Sequence, residues 1–156
     1  DWNKFNDEAM RNFQSLIQID STNPPGNETR VVEFVKKVFD AEGIPSVVVS
    51  RDPSRANLIA RIKGNGSKKP LLIMGHTDTV NVDPTKWKHP PFSAAREGGY
   101  VYGRGTIDDK DNVTAALMTL LLLKRNNVPL ARDVIFLAEA GEEGAGFRGI
   151  VHADGG

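Results

Sequence analysis

The chain contains no cysteine. It therefore has no disulfide framework, no thiolate metal ligand and no cysteine nucleophile. If the protein binds a metal ion, histidine and carboxylate side chains must hold it. The absence of disulfides leaves the redox compartment of the protein open.

The chain also lacks an excess of either charge and a long apolar run. Its twenty basic and twenty acidic residues give a formal net charge of zero, which argues against nucleic acid or an anionic membrane surface as the partner. No apolar run reaches the ~18 residues of a membrane span. No signal peptide precedes Asp1, and a start at Asp rather than Met leads us to expect a processed or trimmed product. Secreted, periplasmic and cytoplasmic locations all stay open.

The length of 156 residues and the hydrophobic fraction of 39% are those of one globular domain. We expect a single domain over residues 1–156. Apolar residues recur at helical spacing from Trp2 to Ile17, where the segment STNPPGNE interrupts the pattern. A second helix is predicted from a cap at Asn27 to Gly43.

Strands and one further helix are predicted after the second helix. The segments SVVVS and NLIARIK read as strands, and GNGSKKP reads as a turn because it lacks the spacing of a phosphate-binding loop. The apolar runs LLIMG and DVIFLAE predict central strands, the first covered on both faces. A helix over 113–124, capped by Asp111 or Asn112, lies between them. This alternation predicts an α/β fold with a twisted central sheet between helices.

Polar clusters follow three strand-like segments. They are His76-Thr77-Asp78 after LLIMG, Asp108-Asp109-Lys110 after YVYGRG, and Glu142-Glu143 after VIFLAEA. Each cluster alone has an ordinary explanation: a structural histidine, a helix cap with surface charge, or a solvated turn. Ligands bind at the carboxyl ends of strands in open α/β sheets, so the joint occurrence favours one shared site.

One histidine and several carboxylates are the ligands that a hydrolytic zinc centre uses. Two cations roughly 3.5–4 Å apart, bridged by a carboxylate, lower the pKa of a shared water. Because adjacent residues on an extended segment point in opposite directions, one of Glu142 and Glu143 can bind metal while the other acts as general base. Asp78 is placed to accept the second imidazole N–H of His76.

The sequence resembles the M20 family of metallopeptidases and amidohydrolases. The matching segments are STNPPGNE, MGHTDTV, WKHPPFSA, GYVYGRGTIDDK and LAEAGEEG. Their wording is most similar to the carboxypeptidase S and aminoacylase branch. The resemblance implies a three-layer zinc-exopeptidase-like fold and zinc-dependent hydrolysis of an amide bond next to a free carboxylate. The implied substrates are small peptides or N-acyl amino acids, between which the residues do not choose.

The resemblance also implies roles for individual residues. His76 and Glu143 each bind one zinc ion, Asp108 bridges the two, Glu142 is the general base, and Asp78 supports His76. Two zinc ions are expected, with cobalt or manganese as possible substitutes. The Gly-Arg-Gly before Asp108 lets the backbone turn into the site, and the next two residues, Asp109 and Lys110, are expected to support the loop.

The sequence departs from the family pattern after the glutamate pair. The ending HADGG makes Asp154 the candidate for a fourth ligand, but it lies closer to Glu143 than the family leads us to expect. The family's distant histidine ligand and its lid and dimerisation domain are absent from this sequence, so the oligomeric state is not predicted. His152 is a weak substitute for that histidine, and His89 is expected to be a loop residue.

Two other functions remain open on the sequence. One is a non-catalytic metal-binding fragment of such a hydrolase. The other is a mononuclear deacetylase-like hydrolase, which needs only His76, one Asp and one Glu. The number of metal ions bound per chain separates the mononuclear from the dinuclear site.

Overall fold

A computed structural model of the chain describes residues 1–144. The predicted site residue Asp154 and its neighbour His152 lie outside the described residues. No helix of the described part is long and apolar enough to cross a membrane. The helices are α1 (Trp2–Ile17), α2 (Glu28–Ala41) and α3 (Lys110–Arg125), and the strands are β1 (Ser46–Val49), β2 (Asn57–Ile62), β3 (Leu71–His76), β4 (Ala95–Glu97), β5 (Tyr100–Tyr102) and β6 (Val134–Glu139).

The central sheet has the strand order β1-β2-β6-β3 within the described residues. β3 runs parallel to β6, and the other neighbouring pairs are antiparallel. Helices flank this sheet, so the predicted α/β class is confirmed. Because β3 and β6 are parallel neighbours, their carboxyl ends meet at one edge of the sheet, as the sequence predicted for the site.

A single core lies between the sheet and the helices. The cross-strand row Ala60, Phe136 and Ile73 faces this core, which also takes residues from α1, α2 and α3. Phe39 of α2 meets Phe136 edge-on, with ring centroids 6.2 Å apart. Leu117 of α3 is fully buried in the same cluster. The amphipathic patterns of the helices are explained by this one shared core.

The opposite face of the sheet is less covered in residues 1–144. The row Ile59, Leu137 and Met74 lies on this face and does not belong to the core. On β3, Leu72 and Met74 remain 52% and 51% exposed, and β3 is an edge strand of the described sheet. The prediction that LLIMG is a central strand covered on both faces is therefore wrong for the described residues. A continuous apolar run shows that both faces of a strand are apolar, but it does not show which segment of the chain covers each face.

The third helix begins earlier than predicted. α3 starts at Lys110, with Asp109 in the N-cap position, so Asp111 and Asn112 lie inside the helix. The Asp109 side chain does not cap the helix. Its Oδ2 accepts the backbone N–H of His76 at 3.1 Å, and its Oδ1 accepts the side-chain amide of Asn112. The expected cap at Asp111 or Asn112 is therefore wrong, and a link between α3 and β3 takes its place.

The segment YVYGRG does not enter the central sheet. Its strand β5 pairs only with β4 among the described strands, in a two-stranded antiparallel sheet. Two of the three polar clusters thus follow neighbouring strands of the main sheet, and the third arrives on a loop.

An ion triad joins the three helices on the surface. The Arg125 guanidinium contacts the Glu8 carboxylate at 2.7 Å and the Glu42 carboxylate at 2.6 Å. Glu8 belongs to α1, Glu42 follows α2, and Arg125 ends α3. A positive side chain at the last turn of α3 also suits the negative end of the helix dipole.

Candidate metal centre

The candidate centre lies at the carboxyl ends of β3 and β6. His76 is the last residue of β3 and pairs with Glu139, the last residue of β6. The chain then turns at Gly141, with a φ of +85° that favours glycine, and places the next two residues, Glu142 and Glu143, beside His76. The neighbouring parallel strands thus bring the histidine and the glutamates together.

The ligand atoms of this cluster are close enough for one divalent ion. One ring nitrogen of His76 and one oxygen of each of Glu142 and Glu143 all lie within 4.8 Å of one another. Ligand atoms around a tetrahedral zinc ion, with bonds of about 2.0–2.2 Å, lie about 3.3–3.6 Å apart. The donor set and its spacing therefore fit such an ion after small side-chain movements.

Asp108 approaches the same histidine from the loop that follows β5. Its Oδ1 lies 2.9 Å from His76 Nε2, and Glu142 Oε2 lies 4.0 Å from that nitrogen. The Asp108 side chain is 70% exposed and the Glu142 side chain 55% exposed. Both carboxylates are thus accessible to water beside a largely buried imidazole.

The Asp78 carboxylate connects the histidine to the glutamate turn. It is fully buried, and it accepts the backbone N–H groups of Glu142 at 3.2 Å and Glu143 at 2.8 Å. Its Oδ1 lies 3.3 Å from His76 Nδ1, which also lies 3.1 Å from the Asp78 carbonyl oxygen. These contacts leave Nε2 of His76 facing Asp108 and the open side of the site.

The pKa values of His76 and Asp78 reflect these contacts. Burial alone would lower the pKa of His76, but its hydrogen bonds to Asp78 and Asp108 outweigh burial and raise that pKa to about 9. Burial would raise the pKa of Asp78, but hydrogen bonds from His76, Asn23 and the backbone of the glutamate turn lower it to about 2. Asp78 is therefore ionised in the site.

The carboxylates crowd one another. Burial, followed by the charge of Asp108, raises the pKa of Glu143. Burial and the charge of Asp78 raise the pKa of Glu139, although His76 partly opposes them. The neighbouring carboxylates thus add to the effect of burial, and a bound cation would oppose both by favouring the ionised form.

Asn23 is a site residue that sequence reasoning missed. Its Nδ2 donates to Asp78 Oδ2 at 2.8 Å, and its backbone N–H donates to the carbonyl of Thr79 at 2.8 Å. Gly144 packs against it so closely that a Cβ there would lie 2.5 Å from Asn23 Nδ2. The motif STNPPGNE marks this loop, but the sequence does not show that Asn23 is buried or that Asp78 is its partner.

The two residues after Asp108 contact different parts of the fold. Asp109 holds the backbone of His76, as described above, and Lys110 is fully buried. Burial lowers the pKa of Lys110 to about 8. His89 lies apart from this cluster, in a loop where its Nε2 is 2.7 Å from Glu97, so its expected place in a loop is confirmed.

The comparisons with known proteins agree with the motifs. The model of peptidase family M20/M25/M40 matches residues 72–155, more than half of the chain. A Staphylococcus aureus protein described as "Probable succinyl-diaminopimelate desuccinylase" is 36% identical over 87% of this chain and 33% of its own length. The N-formyl-4-amino-5-aminomethyl-2-methylpyrimidine deformylase of Halalkalibacterium halodurans is 30% identical over 90% of this chain and 34% of its own length.

A solved structure shares the fold. The M20 family metallo-carboxypeptidase Sso-CP2 from Sulfolobus solfataricus superposes with a TM-score of 0.73 and 26% identity, over 85% of this chain and 30% of that one. The present chain thus spans about a third of the length of the relatives it matches. On the family match, the motifs and the shared fold, the chain belongs to peptidase family M20/M25/M40, a family of metallopeptidases and amidohydrolases.

Proposed function

We propose that this chain carries part of the catalytic centre of a zinc-dependent hydrolase that cleaves an amide bond next to a free carboxylate. The observation that carries the proposal is that one oxygen from each of Glu142 and Glu143 and one nitrogen of His76 lie within 4.8 Å of one another. One glutamate can therefore bind metal with His76 while the other stays free beside it as a base. The Asp108 carboxylate, whose Oδ1 lies 2.9 Å from His76 Nε2, adds a further carboxylate ligand beside this cluster.

In this proposal His76, Asp108, Glu143 and Asp154 would hold two zinc ions, with Asp108 contributing to both. A bound divalent cation lowers the pKa of water and stabilises negative charge that develops on a carbonyl oxygen. The protein contributes the orientation of the ligands. Asp78 fixes the His76 ring through Nδ1 and the glutamate turn through two backbone N–H groups.

Glu142 is the proposed general base. Its side chain is half exposed and its Oε2 lies 4.0 Å from His76 Nε2, so a water can reach both the carboxylate and the ligand cluster. The carboxylate takes a proton from the attacking water and later gives it to the leaving amide nitrogen. The proton thus passes from water to the amine product, and Glu142 returns to its ionised form.

The relatives support a substrate that carries an acyl group on nitrogen. One is described as a desuccinylase, another as a deformylase, and the structural neighbour as a carboxypeptidase. All three descriptions name the cleavage of an amide bond. We propose N-acyl amino acids and small peptides as the substrate classes for the protein to which this chain corresponds.

The test combines metal content and turnover. The purified chain is reconstituted with zinc, its bound zinc is measured by elemental analysis, and N-succinyl and N-formyl amino acids and dipeptides are offered as substrates. Glu142→Gln is expected to retain zinc and lose turnover, and His76→Ala is expected to lose zinc. Zinc binding that survives His76→Ala unchanged would refute the proposed centre.

A mononuclear hydrolase is the second candidate. The observation in its favour is that one ligand atom from each of His76, Glu142 and Glu143 lies within 4.8 Å of the other two, a set that suits one ion. One zinc per chain with turnover supports this candidate, and two support the dinuclear centre. Bound zinc without turnover of any substrate supports the non-catalytic metal-binding alternative.

A further inference from the structure

Lys110 is the most deeply buried charged residue of the Asp108 loop. Its side chain is fully buried, and its Nζ donates to the backbone carbonyls of Leu16 at 3.0 Å and Ile19 at 2.6 Å. Leu16 lies in the last turn of α1, and Ile19 lies two residues beyond its end. The Leu16 carbonyl also accepts the backbone N–H of Ile19 at 3.2 Å, and a positive group suits the negative end of the helix dipole. Lys110 therefore closes the end of α1 from a segment about ninety residues away.

The loop that carries Asp108 packs against the methylene chain of this lysine. The backbone N–H of Lys110 donates to the carbonyl of Gly105 at 3.1 Å, which closes the loop. Gly105 has a φ of +87°, and a Cβ there would lie only 3.1 Å from Lys110 Cδ. The methylene chain of Lys110 thus packs against Gly105, and its ammonium group fastens the loop to the end of α1.

Asp108 itself has little to hold it. Its only hydrogen-bond partner among the described residues is His76 Nε2, and its side chain is largely exposed. The next two residues make the firm attachments, Asp109 to the His76 backbone and Lys110 to α1. The position of the Asp108 carboxylate is therefore set by its neighbours in the chain.

We propose that Lys110 is a positioning residue for the metal ligand Asp108. By fastening the loop to the end of α1, it fixes the distance between the Asp108 carboxylate and His76 that metal binding requires. A buried ammonium group carries a desolvation cost that a methionine of similar length avoids. A lysine at this position is therefore explained by the hydrogen bonds that its ammonium group donates, and not by the volume that its side chain fills. The inference rests on the proposed function, because it assigns Asp108 as a metal ligand.

The test measures cobalt binding by the whole chain, followed by the visible absorption of the bound ion. Lys110→Met keeps the side-chain length but removes the donors, and we expect about a 10- to 100-fold loss of cobalt affinity, as for other residues that orient metal ligands. Lys110→Arg keeps cationic donors and is expected to recover most of that affinity. Asp108→Asn sets the scale for loss of the ligand itself.

A matched control separates positioning from stability. Val35→Ala removes a fully buried core side chain of α2, outside the site, and is expected to lower the free energy of unfolding without changing cobalt affinity. All variants are titrated well below their melting temperatures. If Lys110→Met does not fold, Lys110→Gln, which has only a neutral donor, takes its place with the same expected loss.

The outcomes are distinguishable. Cobalt affinity of Lys110→Met equal to that of the unaltered chain would overturn the role of Lys110 and leave the proposed function standing. An equal loss in Val35→Ala would also overturn it, because the effect would then follow stability alone. Absence of cobalt binding by the unaltered chain would overturn the proposed function and this inference together.

Discussion

The Asp78 carboxylate accepts the backbone N–H of Glu143 at 2.8 Å, so the group that faces the His76 ring also fixes the turn that carries both glutamates. One buried side chain thus orients ligands from two neighbouring strands. A change at Asp78 is expected to disturb the histidine and the glutamates together.

We expect Asp78→Asn to lower zinc affinity by about 10- to 100-fold. The asparagine NH₂ group replaces one acceptor oxygen and then faces a backbone N–H donor of the glutamate turn. Titration calorimetry with zinc measures the loss. Asp83→Asn is the matched control, because Asp83 is exposed and accepts a backbone N–H in a turn elsewhere. Equal losses in the two variants would contradict the role assigned to Asp78.

Asn23→Ala removes the amide that donates to Asp78 Oδ2. We expect a loss of about 1–3 kcal/mol in the free energy of unfolding, because the hydrogen bond goes to a buried charged group, together with weaker zinc binding. Urea unfolding and zinc titration measure the two effects. Asn65→Ala, which removes an exposed turn residue, should change neither. A stable Asn23→Ala variant with full affinity would show that Asp78 needs no support from this loop.

The Arg125 triad predicts a pH-dependent contribution to stability. Hydrogen bonds from Arg125 lower the pKa values of Glu8 and Glu42 in the folded chain below the ordinary value of 4.5. A lowered folded pKa means that the contribution is present above pH 4.5 and is lost as the pH falls through the folded value.

Arg125→Met is therefore expected to destabilise the chain by about 1 kcal/mol near pH 7, a modest value because the triad lies at the surface. Urea unfolding between pH 7 and pH 3 should show this difference shrinking below pH 4.5. Lys36→Met, which removes an exposed pair within α2, is the control. A difference that grows as the pH falls would be the opposite of the expected sign.

Gly64→Ala tests a close backbone approach. A Cβ at Gly64 would overlap the backbone of Arg132, which lies next to β6. We expect a loss of about 1–3 kcal/mol in the free energy of unfolding, as for other overpacked sites. Lys63→Ala, at the exposed neighbouring position, should stay within about 0.5 kcal/mol of the unaltered chain. Thermal unfolding of both variants and of the unaltered chain measures the two effects. A melting temperature of Gly64→Ala equal to that of Lys63→Ala would exclude the overlap.

The exposed face of β3 predicts concentration-dependent association. Leu72 and Met74 are half exposed on an edge strand of the described sheet, and such strands pair with other chains unless charge blocks them. Leu72→Lys is expected to reduce the association measured by sedimentation velocity at rising protein concentration. Lys69→Ala, in the turn before the strand, serves as control. A chain that stays monomeric at all concentrations would contradict the prediction.

Much of the fold could be predicted from the sequence because its signals are local. The helical spacing from Trp2 to Ile17 gives α1, and the β-branched runs give β1, β2 and β6. The position of β3 at the edge of the sheet formed by residues 1–144 could not be predicted, because pairing order depends on contacts between distant segments. The start of α3 could not be predicted for a similar reason: the Asp109 side chain accepts the backbone N–H of the distant residue His76 and caps no backbone N–H of its own helix.

The same division holds for the candidate site. The convergence of His76 and the glutamates could be predicted, because buried parallel strands end together. Asn23 and the attachment of Lys110 to α1 could not be predicted, since nothing local to either residue indicates its partner. The residues with proposed chemical roles could be recognised in the sequence from their side-chain type. The residues that position them could be recognised only from their contacts in the structure.

The buried Asp78 carboxylate has a consequence for folding. Its partners Asn23, Glu142 and Glu143 lie more than fifty residues from it along the chain, so the cluster exists only after these long-range contacts have formed. An unfolded chain cannot offer the same cluster. A cation that binds to His76 and the glutamate turn therefore binds the folded state alone. At a free cation concentration of one hundred times its dissociation constant, this binding adds about 2.7 kcal/mol to the free energy of unfolding by mass action. Zinc binding would then stabilise the folded chain, and removal of zinc would lower its free energy of unfolding.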